Sequence, residues 1–211
     1  MQVMVVGATG LVGSLVLSQL LVEETVERVV APTRRPLATA HAKLINPVVD
    51  FEALPRDAEW WKVDSVVCTL GTTMKQAGSR DAFARVDHDY PLQVAQQALG
   101  RGALSYALTS AAGADPGSRF FYNRVKGNLE RDLTALGYVS LTLVRPGLID
   151  GERHASRLVE RAAGMTLRML GPLLPARLRI NPAECIATAL VDAALQARPG
   201  RHVVSSERLA A

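Results

Sequence analysis

The first thirteen residues constrain this chain more than any other stretch. An apolar run, Gln2 to Val6, leads directly into Gly7-x-x-Gly10-x-x-Gly13, and an apolar helical pattern continues from Leu11 to Val22. A strand, a glycine turn and a helix in that order build a seat for a diphosphate. Glycines let backbone N–H groups approach the anion, and the helix N-terminus adds favourable partial charge. Gly7, Thr9, Gly10, Leu11, Val12 and Gly13 are the candidate residues of that seat. One residue more separates the first two glycines than in the G-x-G-x-x-G form, and a turn of this kind also occurs as a plain tight turn.

Short apolar runs alternate with helical patterns through the rest of the sequence, which predicts a Rossmann-type, doubly wound parallel α/β sheet with helices on both faces. Strands are expected near 2–6, 27–31, 47–49, 64–70, 103–109 and 139–145. Arg201-His-Val-Val-Ser205 closes one edge as the seventh. Helices are expected near 11–22, 80–99, 119–136, 154–170 and 182–197. Pro91 should kink or break the second of these. Asn181-Pro182 reads as an N-cap followed by proline at the first helical position. With 211 residues, 48% of them apolar, the chain has room for one domain, 1–211, but two would be crowded.

The end of the second strand separates two kinds of nucleotide. A site for NAD usually carries a carboxylate about 20 positions beyond the glycines, bonded to the ribose 2′-hydroxyl. Here Arg28-Val-Val-Ala-Pro32 runs into Thr33-Arg34-Arg35-Pro36. Two guanidinium groups match a 2′-phosphate instead, so NADP(H) is the expected cofactor, with Arg34 and Arg35 as its phosphate ligands. Asp50, beside Phe51, either accepts from the adenine amino group or caps its own turn. Gly71 either lets the fourth strand lie close to the cofactor or makes a tight turn.

Tyr122-Asn-Arg-Val-Lys126 lies on a helix whose core stripe is Phe121, Val125, Leu129, Leu133 and Leu136. Tyr122 and Lys126 are four apart and share an edge beside that stripe. A tyrosine of ordinary pKa about 10 is a poor acid–base group at neutral pH unless a cation favours its phenolate. Lys126 supplies the cation and can also bond a ribose hydroxyl. Ser110 ends the fifth strand, where it could donate to a substrate carbonyl as Tyr122 protonates it. Thr109 is the weaker hydroxyl, because neighbouring strand residues face opposite sides.

These stretches together resemble the short-chain dehydrogenase/reductases, and most of all their atypical branch, that of the HIV Tat-interacting protein. The resemblance runs through Gly7-Ala-Thr-Gly-Leu-Val-Gly13, Thr33-Arg-Arg35, Val48-Val-Asp-Phe-Glu52 and Cys68-Thr-Leu-Gly-Thr-Thr73. It continues in Arg85-Val-Asp-His-Asp-Tyr90, Ser110-Ala-Ala-Gly-Ala-Asp115, Tyr122-Asn-Arg-Val-Lys-Gly127 and Val144-Arg-Pro-Gly147. It implies Ser110, Tyr122 and Lys126 as a catalytic trio and places the turn containing Pro146 beside the nicotinamide. It implies an NADPH-dependent oxidoreductase acting on a small carbonyl or alcohol. The alternative it offers is an NADPH-binding, redox-sensing protein that works through a protein partner without turnover. Two positions depart from the family pattern. Asp87 stands where many members carry an asparagine that supports a proton relay, and Ala111 replaces a second serine.

The segment 151–180 falls where such proteins build their substrate pocket. Arg153, Arg157, Arg161 and Arg168 there alternate with Met165, Leu167 and Leu170. That pattern suits an amphipathic or acidic substrate, or simply a helix with one apolar and one basic face. Composition limits the other classes. A net charge of +4 spread over 24 basic and 20 acidic residues, with only 5% aromatics, gives no patch or stacking platform for nucleic acid. No apolar run approaches the ~20 residues that span a bilayer. The histidines offer no metal spacing; His88, between Asp87 and Asp89, is expected to be solvated. Cys68 and Cys185 are expected to be core thiols. The first strand begins at the first residues, so a cytoplasmic location is the expectation. A small-molecule substrate is the expected partner, with a protein partner or a homo-oligomer left open.

Overall fold

The computed structural model describes residues 1–150 and 180–209. Seven parallel strands form its sheet: β1 (Gln2–Val6), β2 (Arg28–Val30), β3 (Leu44–Ile45), β4 (Ser65–Cys68), β5 (Ser105–Thr109), β6 (Ser140–Arg145) and β9 (Gly200–Ser205), in the order β3-β2-β1-β4-β5-β6-β9. Two further strands, β7 (Leu148–Asp150) and β8 (Ile180–Pro182), pair parallel with each other beside it. Helices are α1 (Leu11–Val22), α2 (Met74–Ala77), α3 (Arg80–Ala84), α4 (Tyr90–Gly100), α5 (Phe121–Ala135), α6 (Ala183–Gln196) and α7 (Ser206–Leu209).

Strand β1 shows why the sheet is covered twice. Val3 and Val5 pack into one core with Val16 and Leu20 of α1 and Ile186 and Leu190 of α6. Met4 and Val6 point the other way, into a second core with Val94 of α4, Leu129 and Leu133 of α5 and Trp61. Alternate residues of one strand thus feed opposite layers. The chain reverses its winding direction between β1 and β4, and the carboxyl ends of these strands open the crevice where doubly wound sheets bind ligands.

The structure differs from the sequence expectations at several places. The third strand is Leu44–Ile45 rather than 47–49, and only an isolated bridge joins Thr33 to Val48. Pro47 has no N–H for the ladder, though its carbonyl accepts from Thr33. The 80–100 stretch is irregular one turn before the proline: residues Arg85–Asp89 form a π-turn, with the Tyr90 N–H bonded to the Arg85 carbonyl. Pro91 sits in the first turn of α4, where it tolerates a missing donor. Asn181 does not cap α6. It is fully buried in β8, where its side chain accepts from the Gly147 N–H at 2.7 Å and the Ser206 hydroxyl at 2.8 Å, and donates to the Ser206 carbonyl at 2.9 Å. Cys68 is buried, while Cys185 is only half-buried. The helix expected at 154–170 and the pocket segment 151–180 lie outside the described residues, except for Ile180.

His88 is not solvated. Its ring, 20% exposed, bridges Asp89 (Nδ1 to Oδ1, 2.8 Å) and Asp132 on α5 (Nε2 to Oδ2, 3.0 Å). A one-residue neighbour was visible in the sequence, but the partner across the helix pair was not.

Candidate active site

The glycine turn is shaped by close approach. Gly7 has φ +90°, and a Cβ there would meet the Thr69 hydroxyl at 2.7 Å. A Cβ on Gly13 would lie 2.1 Å from the Gly7 carbonyl oxygen. Gly10 precedes α1 with no side-chain cap, and the first turn of α1 contains no acidic residue. The orphan N–H groups of that first turn are left for an anion. Thr69, at the end of β4, closes the floor by donating to the carbonyls of Val6 and Gly7.

A cavity of about 810 Å³ runs from this turn across the carboxyl edge of the sheet. Gly7, Thr9, Gly10, Leu11, Val12, Gly13, Arg34, Phe51 and Gly71 line it, and so do Ser110, Tyr122 and Lys126. The expected nucleotide seat and the expected reacting groups therefore share one space. Three of the expected residues are not brought to its wall. Arg35 is exposed beside it, with its carbonyl bonded to the Thr33 hydroxyl. Asp50 caps its own turn, its Oδ1 accepting from the Glu52 N–H at 2.9 Å. Pro146 is tied back to the β5–α5 loop, its carbonyl accepting from the Ala112 N–H at 2.8 Å.

Gly127 explains how α5 reaches the cavity. A Cβ there would lie 2.2 Å from the Asp115 backbone, so only glycine lets the helix lie against the loop that carries Ser110 to Asp115. On that helix Lys126 is buried and Tyr122 is half out, 41% exposed, its ring packed on Phe83 at 5.8 Å between centroids. The Lys126 ammonium meets Asp87 Oδ1 at 2.8 Å. The other Asp87 oxygen accepts from the Thr72 N–H at 2.8 Å. Burial works against the charged lysine, yet the Asp87 carboxylate, with Tyr122 adding to it, holds Lys126 above the ordinary lysine value. Gly71 fits this arrangement rather than a free turn, since a Cβ there would crowd Asp87 Oδ1 at 3.3 Å.

Ser110 is placed at the cavity, but its proton is engaged. Its hydroxyl donates to Glu130, a buried carboxylate one turn beyond Lys126 on α5. Arg145, at the end of β6, grips both oxygens of Glu130, with its Nε at 2.9 Å from Oε1, and Arg201 of β9 stands 3.7 Å away. The cavity thus meets Ser110 through its lone pairs. Glu130 escaped the sequence reading. Its signal was present: a carboxylate four residues after a helix lysine, on the buried face. Thr72, Gln76, Tyr90 and Ile149 also line the cavity unforeseen. Among the described residues no group of three or more His, Cys, Asp or Glu could hold a metal ion.

Comparison with known proteins decides the family. No family model matches the chain. A protein of Emericella nidulans named "Protein fmp52, mitochondrial" is 32% identical over 98% of this chain and 93% of its own length. Its Aspergillus fumigatus counterpart is 34% identical over 98% and 92%. Rat "Protein HTATIP2" is 36% identical over 74% of this chain and 65% of its own. The chain belongs to the atypical short-chain dehydrogenase/reductases of the Fmp52 and HTATIP2 group. The fold agrees with that family. MoeE5 in complex with UDP-glucose and NAD superposes with a TM-score of 0.73 at 19% identity, covering 99% of this chain and 79% of MoeE5. The PhqB reductase domain from Penicillium fellutanum gives 0.67 at 21%, covering 96% and 65%. The family membership corrects the expected compartment. The fungal members of the family are named mitochondrial, which overturns the cytoplasmic expectation; where the first strand starts was no guide to it.

Proposed function

We propose that this atypical short-chain dehydrogenase/reductase is an NADP(H)-dependent oxidoreductase of a small carbonyl or alcohol. One observation carries the reading: Tyr122 and Lys126 open into the same cavity as the glycine turn. The residues present suit a dinucleotide. The Gly10 N–H is taken by the Gly7 carbonyl, but the first-turn N–H groups of α1 have no partner within the helix and suit a diphosphate, and Lys126 has donors beyond the one that Asp87 takes. Arg34 on the wall and Arg35 beside it are both exposed, and the described residues place no carboxylate in an ion pair with either. That favours the phosphorylated nucleotide over NAD.

NADP(H) bound there supplies or takes the hydride at the substrate carbon. The protein's part is the proton. In the reducing direction the carbonyl oxygen takes the phenolic proton of Tyr122, and the resulting phenolate is stabilised by the Lys126 ammonium until solvent restores the proton. Half-exposed Tyr122 can exchange with water directly. Ser110, with its own proton on Glu130, can accept from the hydroxyl of an alcohol but cannot hold a carbonyl oxygen; donating to one requires leaving that carboxylate. The test is a panel of aldehydes, ketones and alcohols followed by NADPH absorbance, with wild type and Tyr122→Phe side by side. Turnover that needs the hydroxyl supports the proposal, and no turnover with any compound refutes it.

The engaged Ser110 favours a second reading, an NADPH-binding sensor that acts through a protein partner. It predicts tight NADPH binding by calorimetry together with no Tyr122-dependent turnover.

A further inference from the structure

Ser110 stands at the cavity with both of its polar protons engaged. Its N–H donates to the Val144 carbonyl at 2.7 Å, and its hydroxyl to Glu130. Glu130 is buried between two guanidinium groups, with Arg145 on both oxygens and Arg201 at 3.7 Å from Oε2. A carboxylate paired in this way has no proton to give, so the serine hydroxyl can only point its own toward it. The neighbours do not supply what Ser110 withholds. On the loop that follows, the N–H groups of Ala112, Gly113 and Ala114 are bonded to the carbonyls of Pro146 and Ala111. Thr109 also lines the cavity, but its hydroxyl oxygen is buried, with no partner among the described residues.

Ser110 therefore offers the cavity lone pairs alone, and a group that meets them must bring its own proton. A carbonyl oxygen has none. The hydroxyl of the reacting alcohol has one, but in the scheme above that proton is the one exchanged with Tyr122. The donor that suits Ser110 is a second one, on the substrate beside the reacting carbon.

Resting on the oxidoreductase reading, we infer that the substrate is a hydroxy-ketone or hydroxy-aldehyde and the product the corresponding diol, with Ser110 accepting from the hydroxyl adjacent to the reacting carbonyl. Glu130 is a positioning residue, reaching the substrate only through the serine whose proton it holds away. In the reducing direction the carbonyl carbon takes the hydride of NADPH, its oxygen takes the Tyr122 proton, and NADP⁺ is left. The second hydroxyl keeps its bonds throughout. A ketone without that hydroxyl leaves the Ser110 lone pairs to water.

The test compares acetoin, 2-butanone and 3-methoxy-2-butanone, of which only the first has a hydroxyl to donate. Dissociation constants are read by NMR titration at the Ser110 amide of the labelled protein, with and without NADP⁺, so binding is measured whether or not turnover occurs. Acetoin should bind about fivefold tighter than either other ketone, the scale of one net hydrogen bond. Glu130→Gln should erase that advantage. Its amide N–H₂ cannot face the donors of Arg145 Nη2 and Arg201, so it turns to Ser110 and gives up the Arg145 Nε contact. The freed serine proton then suits a methoxy or carbonyl oxygen as well as a hydroxyl. Should Glu130→Gln not fold, Ser110→Ala leaves the Glu130–Arg145 pair in place and should lose the same advantage. Equal binding of the three ketones by wild type, or none, overturns the inference, and so does an acetoin preference that survives either variant. Absence of NADPH turnover would refute the oxidoreductase reading instead, and the acetoin preference is read separately from it.

Discussion

Two buried carboxylates, Glu130 on α5 and Asp87 on the π-turn packed against it, differ in what they leave over. Glu130 is saturated: Arg145 takes both its oxygens, Ser110 donates to one, and Arg201 stands behind. It ties the ends of β5 and β6 to the helix. Asp87 also has both oxygens occupied, but its partner Lys126 is not consumed, since an ammonium carries three donors and Asp87 takes one. One arrangement is closed on itself and the other presents a cation to a cavity. The lesson is that a buried ion pair marks a site by the donors its partner still has, not by burial itself.

The sharpest way to break that contrast is Tyr122→Phe. Loss of the phenolic proton donor should cost about a thousandfold in turnover while NADPH affinity, read by calorimetry, stays within about twofold. Glu130→Ala should do the opposite. Arg145 would lose its counter-ion and Ser110 its acceptor, and denaturant unfolding should show a loss of about 3 kcal/mol, the usual cost of breaking a buried pair. NADPH binding by the fraction that remains folded should be little changed; a stable Glu130→Ala protein that had lost the nucleotide would merge the two roles. Arg34→Ala should raise the NADPH dissociation constant about tenfold, or about 1.4 kcal/mol, and leave NADH unaffected. Equal losses for both nucleotides would place Arg34 on the diphosphate instead.

The smallest effect belongs to the outer face of the same helix pair. His88→Ala removes a half-buried bridge between Asp89 and Asp132, worth about 1 kcal/mol or less in thermal melts. The Asp132 carboxyl is held below its ordinary value, first by the Arg131 guanidinium and then by His88, against the opposing effect of burial. A group whose folded pKa is lowered contributes above its unfolded value, near 4, and loses that contribution as acid takes the pH down through the folded value. Melting temperature should therefore fall below about pH 4, and less so in His88→Ala.

The glycine turn was legible in the sequence because its requirements are local. Gly7, Gly10 and Gly13 belong to one turn, and the clash that forbids a side chain on Gly13 is with Gly7 itself. Tyr122 and Lys126 were legible for the same reason, being one helical turn apart. The partners of Lys126 and Ser110 were not, since Asp87 lies 39 positions and Glu130 20 positions away in the sequence, and only the packed helices bring them together. Asp50 allowed two readings from its residue type, and the structure shows the local one present, its Oδ1 accepting from the N–H two residues ahead. The third strand slipped because Pro47 looks apolar in a pattern but cannot join a ladder.

The Asn181 staple has a consequence for how such a fold can diversify. By binding Gly147 on one side and Ser206 on the other, it fastens β8 to the turn after β6 and to the start of α7, so the described residues on either side of 151–179 are held to the frame by their own contacts. A stretch anchored that way can be lengthened, shortened or traded for another at little entropic penalty. New ligand preferences can then be grafted onto an unchanged sheet and glycine turn, like a head exchanged on a fixed handle.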